Sequence, residues 1–131
     1  MGLDQYAHVR NKEIDFKKVY SDKYKPQRDG FVWRKHARLQ TFMQNVFYQR
    51  NPKAEEFNGS AELELDSAII KELREEVKNG YANSFCDGGF FWGHQFQEES
   101  VKEYEKQDLA FCDWVLTELD KGNKVIYSCS W

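Results

Sequence analysis

The sequence predicts an α+β fold: a single sheet including both chain termini, packed by about three helices. Alternation at the two ends points to the sheet. Leu3, Gln5, Ala7 and Val9 alternate with Asp4, Tyr6 and His8, and Val125, Tyr127, Cys129 and Trp131 alternate with Ile126, Ser128 and Ser130. Between them, three segments repeat apolar residues at helical spacing.

Taken in order, the amino-terminal strand gives way at Asn11 to a charged stretch reaching Gly30. It has no clean period, reads as a long binding-type loop and leaves room for a short strand around Ile14 to Tyr20. A helix is expected over Trp33 to Gln49, with Leu39, Phe42, Met43, Val46 and Phe47 as its stripe and Asn51-Pro52 as its stop. Glu62-Leu63-Glu64-Leu65 alternates as a short strand. Asp66 or Ser67 caps a second helix that buries Ile69, Ile70, Leu73 and Val77 and ends at Asn79-Gly80. Phe90 to Trp92 reads as a strand between glycine turns. A third helix is expected from near Asp108 to Lys121, with a separate turn around Val101 and Tyr104. Its buried face is read as Leu109, Cys112, Val115, Leu116 and Leu119. Gly122-Asn123 turns the chain into the last strand, where Trp131 is expected to dock rather than fray.

A length of 131 residues fits one domain, 1–131, with one sizeable core. Aromatic residues make up 16% and carry much of the apolar payload. The net charge of -3, with both signs mixed, argues against a nucleic-acid partner. No apolar run is long enough to span a membrane, and the first residues lack a signal peptide's pattern. Gly2 is followed by Tyr6 where a myristoylation signal needs Ser or Thr. Cys86, Cys112 and Cys129 cannot all pair within one chain and fit no zinc spacing, so reduced thiols in a cytoplasm are expected.

The chain resembles a family of small, largely uncharacterised proteins of tailed bacteriophages, including T4-like cyanophages that infect marine cyanobacteria. The resemblance runs in order along the chain. It comprises Met1 to Tyr6, Trp33-Arg34-Lys35-His36 with Leu39-Gln40, Glu62 to Leu65, and Gly89-Phe90-Phe91-Trp92-Gly93. Gln107-Asp108-Leu109, Val125-Ile126-Tyr127-Ser128 and Ser130-Trp131 complete it. The sequence departs at Cys129 and in the charged insert after Arg10. The resemblance implies a viral accessory protein in the cytoplasm of an infected bacterium, with no assigned reaction and no catalytic residues.

Two aromatic-cationic segments are the candidates for function. On the expected first helix, Lys35 and His36 fall toward the core while Trp33 and Arg34 point outward. The pair could reach a cleft and hold a polar or anionic ligand, or pair with carboxylates and fix the helix to the sheet. In Gly88 to His94, Trp92 and His94 could meet a ligand, or the glycines could permit close strand packing while Asp87 serves the turn. Trp114 is expected to lie opposite the third helix's stripe, as an anchor for another chain or as a ring lying flat under the charged amino-terminal insert or on Lys121. No HExxH, CxxC, GxSxG or phosphate-loop motif is present, so no metal, cofactor or Cys86–His94 nucleophile pair is expected.

The leading expectation is a protein that acts by self-association or by binding a host protein. The rival is an enzyme or small-ligand binder built on Lys35, His36 and His94 with Trp92 and Tyr127.

Overall fold

A computed structural model describes residues 2–10, 30–84 and 96–131. Its elements are β1 (Asp4–Val9), β2 (Gly30–Arg34), α1 (Ala37–Arg50), β3 (Glu62–Leu65), α2 (Ser67–Lys78), α3 (Gln97–Asp120) and β4 (Val125–Ser130). Among the described residues, four strands form one antiparallel sheet in the order β2-β1-β4-β3, with β1 and β4 as its two inner members. The α+β class and the participation of both terminal segments in one sheet are as expected.

Alternation sets the sheet's core face. Gln5, Ala7 and Val9 of β1 are buried, as are Leu63 and Leu65 of β3 and Val125, Tyr127 and Cys129 of β4. Rings fill the space between this face and α3. Trp33 meets Phe111 edge-on at 4.9 Å, and Phe31 lies 5.4 Å from both Phe111 and Trp114. Phe47 of α1 stacks on Phe57 at 4.3 Å. Trp131 does dock: its main chain exchanges two 3.0 Å hydrogen bonds with the Asn58 amide, and its indole donates to the Phe57 carbonyl.

The second helix follows its local code. Asp66 Oδ1 accepts from the Ile69 amide at 2.8 Å, Ile69, Ile70, Leu73 and Val77 are buried, and Gly80 leaves the helix at φ 66°. α2 lies along α3, tied at the surface by Arg74 and Asp113.

Three expectations are corrected. The first helix starts at Ala37 rather than Trp33; Trp33 and Arg34 belong to β2, and Trp33 points inward at 3% exposure. The break lies at Lys35, whose φ of 55° ends the strand, while its amide donates to the Leu3 carbonyl. The third helix is one rod from Gln97, with no separate turn at Val101 and Tyr104. Trp114 is not on the surface: it is 4% exposed, within the aromatic cluster. The Phe90–Trp92 strand and the loop from Asn11, with its short strand at Ile14 to Tyr20, lie outside the described residues.

Side chains occupy main-chain groups on β2 and β3, the outer strands among the described residues. On β2, Gln107 donates to the Val32 carbonyl at 2.7 Å, and the Tyr104 hydroxyl accepts from the Arg34 amide at 3.1 Å. On β3, Arg50 donates to the Glu64 carbonyl and pairs with Asp66.

Candidate functional site

The sharp junction between β2 and α1 brings a histidine into the core. With Lys35 in the left-handed region, the chain reverses between Arg34 and Ala37, and His36 becomes the residue that begins α1. Gln5 on β1 secures the turn by accepting from the His36 amide at 2.9 Å and donating to its carbonyl at 3.1 Å. The imidazole is fully buried, as is the Asp108 carboxylate of α3, and the two meet at 2.7 Å through Nε2 and Oδ2.

Asp108 gathers three side chains. Oδ2 also accepts from the Tyr81 hydroxyl at 2.7 Å, and Oδ1 accepts from the Trp33 indole at 2.8 Å. Tyr81 reaches it because its own φ of 58° turns the ring inward just after α2. Burial, followed by the charge of Asp108 and their hydrogen bond, raises the Tyr81 pKa well above the usual phenol value. Tyr81 therefore remains a donor.

A second polar chain begins at Gln5, which donates to the Tyr127 hydroxyl at 3.0 Å. Tyr127 donates to Gln40 Oε1 at 2.6 Å, and Gln40 donates to Cys129 Sγ at 3.2 Å. Burial holds the Tyr127 phenol well above its usual range. Both chains are interior, so each unmet group would carry a desolvation cost of about 1–3 kcal/mol.

Among the described residues, one buried side-chain atom lacks a partner: Nδ1 of His36. With Nε2–H directed at a carboxylate, Nδ1 is a lone pair in the neutral ring or a second N–H in the imidazolium. Tyr104 stacks on this ring at 5.1 Å and 14°, and Tyr81 meets it edge-on at 5.2 Å. The His36 side chain makes no capping hydrogen bond to α1.

Of the sequence candidates, the structure brings Trp33 and His36 together on Asp108, with Tyr127 one residue further along the network through Gln5. Lys35 is exposed at the junction, Trp114 is interior, and Trp92 and His94 lie outside the described residues, as do Cys86 and Asp87. Asp108, Tyr81 and Gln5 were missed. Their signal was present for Asp108: it shares a helical face with Cys112 and Val115, and a carboxylate in an apolar line needs donors.

Cys112 and Cys129 are buried free thiols. Burial first, then Asp108, pushes Cys112 up to about 12, and burial pushes Cys129 up to about 11. A thiol whose folded pKa is raised stays protonated while its unfolded counterpart ionises, so stability falls as pH rises from about 9 toward those values. Chemical denaturation at increasing pH is expected to show this loss. Alkylation in the native state near pH 8 is expected to spare both thiols and to label them after unfolding; prompt native labelling would contradict their burial.

Among the described residues, no helix is long and apolar enough to cross a membrane, and no three potential ligands converge as a metal site. Comparison of the chain with protein-family models, curated proteins and solved structures yields no match.

Proposed function

We propose that this is an accessory protein of a tailed phage that acts by non-covalent binding, with the imidazole of His36 as its binding group. The phage assignment is supported by the ordered resemblance in the sequence. The binding assignment is carried by one observation: a fully buried histidine whose Nε2 is held by Asp108 while Nδ1 has no partner among the described residues. A carboxylate on one ring nitrogen fixes the ring and leaves the other nitrogen aimed at whatever completes the site.

This reading favours the small-ligand alternative over self-association, because Trp114, the candidate anchor for another chain, is inside the core. Binding is favoured over covalent catalysis. Cys112 and Cys129 are held as thiols rather than thiolates, and among the described residues no hydroxyl or thiol bonds Nδ1.

The test is the ring-nitrogen spectrum of His36 in ¹⁵N-labelled full-length protein. Adding the low-molecular-mass fraction of a bacterial extract is expected to move the Nδ1 resonance saturably while Nε2 keeps its carboxylate-bonded position. A ring that responds to nothing in the fraction, with Nδ1 at the shift of a water-bonded nitrogen, would overturn the proposal.

A further inference from the structure

Away from His36, α1 and α2 both line a groove of about 370 Å³, within the usual size range of small-molecule sites. Each helix gives it one face. From α1 come Phe42, Asn45, Val46 and Gln49, spaced i, i+3, i+4 and i+7. From α2 come Glu72, Glu75, Glu76 and Asn79 at the same spacing. Asn83 and Ser84, on the turn after α2, complete the lining.

The two faces differ in chemistry. Phe42 and Val46 pack on the core and give the groove an apolar floor. The α2 wall carries three carboxylates, and no lysine, arginine or histidine is among the lining residues. Glu76 is 8% exposed, and its carboxylate accepts from Asn83 Nδ2 at 2.7 Å, the Ser84 hydroxyl at 3.0 Å and the Asn83 amide at 3.3 Å. Glu75 pairs across the helix surface with Lys78 at 3.8 Å, while among the described residues Glu72 and Glu76 meet no cation. These hydrogen bonds fix the wall and leave its charge uncompensated.

Charge complementarity and the apolar floor together select the occupant. A bare metal ion gains nothing from Phe42 and Val46, and among the described residues no three ligands converge to hold one. A neutral apolar molecule would take water from the carboxylates and offer them nothing in return. An alkyl chain bearing several ammonium groups suits both faces. Glu72 and Glu76 stand one helical turn apart, about 5–6 Å, a separation that a short methylene spacer between amines bridges. We infer that the groove binds a linear aliphatic polyamine, its methylene stem on Phe42 and Val46 and its ammonium groups on Glu72, Glu75 and Glu76. The side-chain carbonyls of Asn45, Gln49 and Asn79 accept its remaining N–H groups. The site shares no residue with the His36 network.

The experiment titrates the ¹⁵N-labelled full-length protein with spermidine at constant ionic strength, against magnesium chloride and against hexanediol, a stem without charge. Spermidine alone is expected to give saturable shifts, centred on the amides of α1 and α2 that line the groove. Glu72→Gln and Glu75→Gln alter exposed side chains and should keep the fold. Each should weaken spermidine by about threefold, the scale of an exposed ion pair. Val46→Thr keeps nearly the same shape and should weaken it by about threefold through the lost apolar contact. Equal shifts with magnesium would reduce the groove to a diffuse counterion surface and overturn the proposal. So would a response to hexanediol as strong as to spermidine, which would leave charge no part in recognition. Unchanged affinity in Val46→Thr or in the Glu72→Gln/Glu75→Gln double variant would overturn it too, as would shifts that do not saturate or that fall elsewhere on the molecule.

Discussion

Asp108→Ala is expected to remove about 4 kcal/mol of folding stability, the scale seen when one partner of a buried charged network is deleted. Asp108 is fully buried and serves Trp33, His36 and Tyr81 together, so the truncation strands three donors from three different parts of the chain. A domain of this size holds about 5–15 kcal/mol in total, and the variant should therefore sit close to its unfolding threshold. Urea denaturation gives the measurement: the midpoint should fall sharply with little change in slope. Tyr81→Phe removes only one of the donors and should cost about 1 kcal/mol. If Asp108→Ala cost no more than Tyr81→Phe, the carboxylate would not be the hub of these three donors.

Trp114→Ala is expected to be comparably damaging, at about 3–5 kcal/mol, because the indole is 4% exposed and packs on Phe31 and Phe111. A surface anchor would behave otherwise, with a change in stability within about 0.5 kcal/mol and a change in association state. Denaturation and sedimentation velocity on the same preparation separate the two. A stable variant with altered sedimentation would return Trp114 to the surface.

Much of the scaffold was legible in the sequence because its signals are local. The alternations of β1, β3 and β4, the Asp66 cap and the Gly80 exit each depend on a few adjacent residues. The junction at Lys35 was not legible, because Trp33 and His36 continue an apparent helical pattern. What separates strand from helix there is partly Gln5, 31 residues away, binding both main-chain groups of His36. Trp114 was misplaced for a related reason. The buried face of α3 includes Gln107, Asp108 and Glu118, which a hydrophobic count leaves out, and this shifted the apparent stripe toward Leu109 and Leu116. Those polar residues are inside because partners satisfy them: Val32 and Trp33 on β2 for Gln107 and Asp108, and Asn123, five residues on, for Glu118. The candidate site shared this difficulty: His36 stood out as a residue type, but its carboxylate partner lies 72 residues along the chain.

The side chains on the rims of the sheet have a consequence for how the molecule lives among its own copies. Gln107 and Tyr104 occupy one margin, Arg50 holds a carbonyl at the other, and Glu62 and Glu64 place like charges beside it. Among the described residues, a foreign extended segment arriving at either margin meets carbonyls and an amide that side chains already hold, or like charges. Crowded copies thus gain less from zipping ribbon to ribbon, and at the β2 margin fibrous coalescence is discouraged by the same contacts that seat the long helix.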